Sequence, residues 1–524
     1  MRISRRSVLA ASASAPFIAS NPALAAPARI LLHSERHRGE IDKNIFGNFI
    51  EHLGRCITGG IFDEGSPLSD KAGFRKDVLG AVKELNVPML RWPGGNFSSN
   101  YNWRDGIGPR DKRPPRLEMA WGTVEDNRFG THEFMDYIDQ VGAEPYICLN
   151  LGTGTWADAQ QWIEYVNGSQ DTEITRLRKK NGRDKPWKVK YWGLGNEMDG
   201  YWQMGHRSAS DYAAFALETA KLAKLTDPDV KLIAAGASNY RAGSDWISWN
   251  RTVLESLRDY ADYISIHLYV GNAANDYADF VASPIEMDQK IDILAGLINA
   301  AMSQRTDHVT GQPMRDNRKL HIAFDEWNVW YRARGDSQRG RRILEEHYNL
   351  EDALVVAGFL NSLVNHADVV KIANMAQLVN VIAPIFTNDK GLFLQTIYFP
   401  LQLFSRNVKG NSLEVLIDSP VYKSRRFDRV PYLDASASLD GADLVVNVVN
   451  RHQDQAIEAV IGLEDKSFAG AVSVAEVNGP DIKAQNDFGK MPVAARTSTV
   501  NAGGNSLTYN FPPHSYTQLK ARLA

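Results

Sequence analysis

Cysteine is nearly absent. The 524 residues hold two, Cys56 and Cys148, which excludes a disulfide framework and a zinc site built on several thiolates. Net charge is small as well: 59 basic against 62 acidic side chains leave −3 at pH 7, so no bulk field draws the chain to nucleic acid or to an anionic membrane. No run approaches the roughly 18 uninterrupted apolar residues of a transmembrane helix. P-loop, dinucleotide-binding and HExxH patterns are missing; Gly193-Leu194-Gly195 has no third glycine at the needed spacing. There is no internal repeat of fixed period, and no low-complexity stretch beyond the first residues.

The chain does hold an ordinary globular share of hydrophobic residues, 44%, and many aromatics: 12 Trp, 19 Tyr and 20 Phe. That composition excludes a mostly disordered chain, a collagen-like fibre and a coiled coil, and it suits a carbohydrate binder, although most aromatics serve the core. The first 26 residues, MRISRRSVLAASASAPFIASNPALAA, place Arg2, Arg5 and Arg6 before a weakly apolar Ala/Ser-rich stretch and a small-x-small Ala23-Leu24-Ala25. This reads as a processing signal and resembles a twin-arginine export signal, which points to a periplasmic or secreted protein exported already folded. Both cysteines then read as unpaired core thiols on barrel strands.

From position 45 to about 400, eight short apolar runs alternate with helical periodicity. The runs are Phe46–Ile50, Pro88–Trp92, Pro145–Leu149, Val189–Leu194, Lys231–Ala235, Tyr263–Tyr269, His321–Phe324 and Val369–Ala373. Strands separated by helices predict parallel βαβ units, and eight of them an α/β (β/α)8 TIM barrel over 45–400 with its site at the C-terminal strand ends. A doubly wound open sheet is the alternative, without the ligand-binding loop it normally carries. From about 401 onward short alternating runs punctuated by Gly, Asp and Asn predict a C-terminal antiparallel β-sandwich of jelly-roll type, with residues 28–44 adding a strand. The basic run 176–190 reads as a solvated loop before the fourth strand.

Two of these strands end in carboxylates: Lys190-Tyr191-Trp192-Gly193-Leu194-Gly195-Asn196-Glu197 and His321-Ile322-Ala323-Phe324-Asp325-Glu326-Trp327-Asn328. On one barrel, Glu197 and Glu326 would share the catalytic face. Glycoside cleavage needs such a pair, one group to protonate the leaving oxygen and one to attack the anomeric carbon or activate water.

At these motifs the chain resembles the family 51 glycoside hydrolases, the α-L-arabinofuranosidases, within the clan of retaining barrel glycosidases. The resemblance spans nearly the whole chain after the signal. Gly47-Asn48-Phe49-Ile50-Glu51-His52-Leu53-Gly54-Arg55, Arg91-Trp92-Pro93-Gly94-Gly95-Asn96-Phe97, Trp103-Arg104-Asp105-Gly106-Ile107-Gly108-Pro109 and Ala376-Gln377-Leu378-Val379-Asn380 carry it beside the two carboxylate motifs. It implies a barrel with a β-sandwich, retention of configuration, no metal or organic cofactor, and a homo-oligomer up to a hexamer. It further implies Glu197 as general acid/base, which would need a raised pKa, and Glu326 as nucleophile. Asn196 would bond the sugar 2-hydroxyl, Tyr269 would orient the nucleophile, and His267 would join the same polar layer. Glu51, Asn96 and Gln377 match furanose-binding positions, and Trp121 a pocket tryptophan. The implied activity is exo-hydrolysis of terminal arabinofuranosyl groups on arabinoxylan, arabinan or derived oligosaccharides. Related readings are a family 51 glycosidase acting on β-glucan or β-xyloside, which a chromogenic panel separates, and a non-catalytic carbohydrate binder, which would show binding without turnover. The polar stretches 272–284 and 330–342 read as loops at the catalytic face.

Overall fold

The structure is a computed structural model that describes residues 27–238, 245–307, 310–314, 316–333, 340 and 342–524. The export signal in residues 1–26 and part of the 330–342 loop lie outside these residues. Strand β1 (Ala28–Glu40) is followed by β2 (Gly47–Phe49), β3 (Met89–Trp92), a hairpin of β4 (Arg116–Glu118) and β5 (Thr123–Glu125), and then β6 (Glu144–Cys148), β7 (Tyr191–Leu194), β8 (Lys231–Ala235), β9 (Tyr263–Val270), β10 (His321–Val329) and β11 (Val370–Ala376). The last six, with β2 and β3, close into an eight-stranded parallel barrel. All eight predicted barrel strands are present. Helices α1 (Lys76–Leu85), α2 (Thr131–Val141), α3 (Trp156–Asn167), α4 (Glu173–Lys180), α5 (Ala209–Thr226), α6 (Trp246–Leu257), α7 (Tyr277–Phe280), α8 (Pro284–Ser303) and α9 (Leu350–Asn365) wrap it. Among the described residues no helix is long and apolar enough to cross a membrane.

Because barrel strands are buried on both faces, they read as continuous apolar runs. Their side chains still alternate. Met89, Tyr146, Tyr191, Ile233, Tyr263, Ala323 and Ile372 fill the barrel interior, while Leu90, Ile147, Trp192, Leu232, Ile264 and Ile322 pack outward under the helices. Strand β10 breaks this period once. Opposite β9, Ala323 pairs with Ser265 but Glu326 with His267, so three residues on β10 span two on its neighbour. Such a β-bulge re-aims a side chain.

After β11 come a hairpin of β12 (Ile385–Asn388) and β13 (Gly391–Leu394) and helix α10 (Tyr398–Asn407), which runs through position 401. Strands β14 (Asn411–Asp418), β15 (Val421–Tyr422), β16 (Val430–Pro431), β17 (Leu433–Asp440), β18 (Asp443–Asn450), β19 (Ile457–Leu463), β20 (Ala471–Asn478), β21 (Ala494–Asn501), β22 (Ser506–Phe511) and β23 (Ser515–Arg522) follow. All but the small β15–β16 pair join β1 in one nine-stranded sheet, ordered β21-β20-β23-β18-β17-β14-β1-β19-β22, that folds over a second core. The sheet is hydrogen-bonded throughout, and one of its pairs, β1 with β19, is parallel.

Period two is clear on β18. Leu444, Val446 and Val448 enter the sandwich core; Val445 and Val449 join the barrel's core. Between them Asn447 accepts from Tyr516 Oη at 2.9 Å and donates to Ser436 Oγ at 3.2 Å. Ser436 donates to Asn361 Oδ1 on α9 at 2.7 Å, and Asn361 donates to Asp434 at 2.9 Å.

Two expectations need correction. The run 176–190 is not simply a solvated loop: Thr172 caps α4, and Arg178 is buried, donating to the carbonyls of Tyr165 and Gly168 at the end of α3. Cys148 does end a barrel strand, but Cys56 sits in a bend beyond β2; both are buried and free. Strand β21 escapes the apolar pattern because most of its residues are exposed.

Asn361→Ala leaves the Ser436 hydroxyl and its neighbours short of a partner across the interface. It should lower stability by about 1–3 kcal/mol, read as an earlier urea midpoint, with the far-ultraviolet circular dichroism of the folded state unchanged.

Candidate active site

The barrel's C-terminal end opens into a cavity of about 740 Å³. Eight of the nine candidate residues line it: Glu51, Asn96, Trp121, Glu197, His267, Tyr269, Glu326 and Gln377. The ninth, Asn196, lies just behind the wall, 2% exposed, with its amide nitrogen unpartnered among the described residues.

Backbone sets this up. Gly94 and Gly95 follow β3 and slip between the carboxylates: a Cβ on Gly94 would sit 2.7 Å from Glu51 Cγ, and one on Gly95 2.9 Å from Glu326 Oε1. Glu197 itself has φ = 46°, the left-handed region that a side chain rarely adopts. The bulge in β10 turns consecutive residues Asp325 and Glu326 both toward the interior, as their contacts show.

Arg91, at the end of β3, organises this floor. Its Nη1 donates to Glu326 Oε1 at 2.7 Å and its Nη2 to Asn196 Oδ1 at 2.6 Å, while Nε lies 3.7 Å from Asp325 Oδ2. Tyr269 Oη donates to the other Glu326 oxygen at 2.8 Å. Asp325 also accepts from Tyr146 Oη at 2.7 Å and from the Ser265 hydroxyl. Although burial raises its pKa, the Arg91 and His267 charges outweigh that and hold it well below the usual carboxylate range.

His267 bridges the carboxylates. Nδ1 lies 2.9 Å from Glu197 Oε1 and 3.5 Å from Glu326 Oε2, and Nε2 lies 3.2 Å from Asp325 Oδ1. Burial alone would push its pKa down; the Glu326 charge, then the bonds to Asp325 and Glu197, raise it well above the ordinary histidine value. The surrounding carboxylates therefore favour the protonated imidazole.

Glu197 accepts from Trp202 Nε1 at 2.8 Å as well as from His267. Burial raises its pKa, but these bonds and the His267 charge win, and it lies below its ordinary value. A raised pKa was expected for an acid/base residue; the bond and charge of His267 reverse that direction. Glu51 goes the other way. Burial and the Glu326 charge push it up to about 8 even though Phe97 N–H, Trp121 Nε1 and Gln377 Nε2 donate to it at 3.0, 3.2 and 3.0 Å. A neutral Glu51 keeps another negative charge away from Glu326.

Arg91, Asp325, Tyr146, Ser265 and Trp202 complete the site without having been singled out as functional from the sequence. Arg91 carried a signal, being the charged residue in an otherwise apolar strand; Tyr146, Ser265 and Trp202 carried none. Glu197, His267 and Glu326 each bring a donor atom within 4.8 Å of the others, a spacing that could hold a metal ion. The imidazolium and the Arg91 guanidinium already supply positive charge there, so these residues fit an ion poorly.

Two family models match the chain: the α-L-arabinofuranosidase 1 domain over residues 81–284 and the α-L-arabinofuranosidase C-terminal domain over residues 325–515. The chain is 41% identical over 505 residues to the α-L-arabinofuranosidase C of Emericella nidulans, covering 94% of this chain and 97% of the relative. It is 39% identical over 505 residues to the intracellular exo-α-(1→5)-L-arabinofuranosidase 1 of Bacillus subtilis, covering 94% and 99%. Among solved structures, the arabinose complex of the Thermotoga maritima α-L-arabinofuranosidase superposes with a TM-score of 0.85 at 38% identity, covering 94% and 100%. A family 51 α-L-arabinofuranosidase from Bifidobacterium longum gives 0.87 at 31%, covering 95% and 100%.

Glu51 makes the site's stability depend on pH. Its proton is held more tightly in the fold than in the unfolded chain, so its contribution is complete below its ordinary value of 4.5 and is lost as pH rises through about 8. Glu51→Gln should flatten the fall of the melting temperature across that window; an unchanged slope would mean that Glu51 does not titrate there.

Proposed function

The chain belongs to the family 51 α-L-arabinofuranosidases, and on that premise we propose that it removes terminal α-L-arabinofuranosyl groups from arabinoxylan, arabinan or their oligosaccharides by a double displacement that retains configuration. The observation that carries this reading is the approach of Glu197 and Glu326, whose nearest oxygens lie within 4.8 Å. A nucleophile and acid/base acting by retention sit about 5–5.5 Å apart, whereas inversion needs about 6.5–9.5 Å to admit a water.

Glu326, held by Arg91 and Tyr269, attacks the anomeric carbon; the glycosidic C–O bond breaks and a glycosyl ester forms. The leaving oxygen takes a proton from Glu197. That proton starts on His267 Nδ1 and crosses its 2.9 Å bond to Glu197 Oε1. The Glu326 charge helps hold that proton on His267, and ester formation neutralises it as the leaving group needs the proton. Water then attacks the anomeric carbon, its proton returning to the Glu197–His267 pair, while the ester C–O bond breaks, freeing arabinose and restoring the Glu326 carboxylate. Asn196 offers its unpartnered amide to the 2-hydroxyl, and Glu51, Asn96 and Gln377 bond the remaining hydroxyls beside the Trp121 face.

We also propose twin-arginine export with loss of residues 1–26, checked by sequencing the mature N-terminus, and a homo-oligomer up to a hexamer, checked by light scattering. The Bacillus relative is named intracellular, so this location would set the chain apart from it.

Hydrolysis of p-nitrophenyl α-L-arabinofuranoside by the protein, with β-glucan and β-xyloside as controls, tests the reaction class. Glu326→Ala should abolish turnover. Glu197→Ala should lose about 10²–10⁴-fold on poor leaving groups and much less on p-nitrophenolate, which needs little proton donation. Equal losses on all leaving groups would remove the role given to Glu197.

A further inference from the structure

Among the described residues large aromatic side chains are mostly buried, and those that stand exposed are Trp156, Tyr201, Trp202 and Phe488. The first three occupy the loops and helix starts that follow β6 and β7, adjacent strands of the barrel. The two loops touch backbone to backbone: a Cβ on Gly205 would fall 2.4 Å from Gly152 O and 2.5 Å from its Cα. Only glycines permit that approach, and it makes one continuous wall. On one side Tyr201, Trp202 and Met204 line the active-site cavity. On the other, His206 and Arg207 line a separate open groove of about 650 Å³ with Trp156, Asp211, Phe215 and Glu218.

The groove has the chemistry of a sugar site. Trp156 is 44% exposed and its ring lies 5.8 Å from that of Phe215. The Arg207 guanidinium stacks 4.5 Å over Phe215, and its Nε has no hydrogen-bond partner among the described residues. An indole face packs against the C–H side of a saccharide; a guanidinium and two carboxylates supply donors and acceptors for hydroxyls.

We propose that this groove is a distal subsite for the neutral polysaccharide or oligosaccharide backbone that carries the arabinofuranosyl group. With the terminal sugar in the cavity, the backbone leaves past Tyr201, which is 87% exposed, and crosses the shared wall onto Trp156 and Arg207. The inference rests on the function proposed above, extending it from the sugar removed to the chain left behind.

The test compares Trp156→Ala and the milder Arg207→Gln with wild type on soluble arabinan and arabinoxylan and on p-nitrophenyl α-L-arabinofuranoside. An aromatic contact of this kind is worth about a three- to tenfold change in kcat/KM. That fall is expected on at least one polymer, with the small substrate held within about twofold. Polymer activity unchanged in both variants, or an equal loss on both substrates, overturns the subsite. Retardation in gels containing each polymer gives a readout independent of turnover: wild type should be slowed more than Trp156→Ala, and equal migration overturns the proposal. Wild type that fails on the small substrate yet is retarded through Trp156 would defeat the assigned activity and leave the groove standing. A smaller particle mass for Trp156→Ala by light scattering would make the groove a subunit contact and overturn it.

Discussion

One buried guanidinium governs the catalytic end of the barrel. Arg91 reaches Glu326, Asn196 and the Asp325 carbonyl and lies against the Asp325 carboxylate. Three carboxylates and an imidazolium crowd the same floor, and several kcal/mol of desolvation per ion would make that arrangement untenable without close pairing. Arginine suits the place because its planar fork serves several acceptors at once. A lysine would serve fewer and leave a buried oxygen unpaired. The bulge in β10 and the glycines after β3 are the geometric conditions for the same cluster: one turns two successive acids inward, and the other admits the backbone between them.

The charge pattern also resolves how one environment holds carboxylates in different states. Asp325 is surrounded by cations and stays ionised. Glu51 sits among neutral donors and near Glu326, and stays protonated through most of the physiological range. Glu197 depends on His267, whose own proton depends on Glu326. Proton position in this site is thus a property of the set. Inspection of Glu197 alone, in a buried strand end, suggests a raised pKa; the imidazolium reverses the direction.

Much of the fold was legible because barrel strands are buried on both faces and stand out as apolar runs between amphipathic helices. The eight runs and both strand-end glutamates could be read directly. What could not be read depends on contacts between residues far apart in the chain. Tyr146 and Ser265 are ordinary strand residues until β10 brings Asp325 beside them. The bulge leaves no mark in the run HIAFDEWNV. Strand β21 is mostly exposed and lacks the alternation that marks its neighbours. In α4, a run of basic residues hides one arginine that is buried to satisfy another helix's carbonyls.

Strand β1, first of the described elements, lies inside the sheet built by the last, between β14 and β19. On a ribosome it emerges before any of the barrel and finds both neighbours only once some 400 further residues have been made. Until then its apolar face, Ile30 and Leu32, has nowhere native to go, and the C-terminal sheet has a gap where a strand belongs. The two halves of the molecule are therefore stitched together by topology as well as by contact, and the sandwich closes around a strand that precedes the whole barrel in the chain.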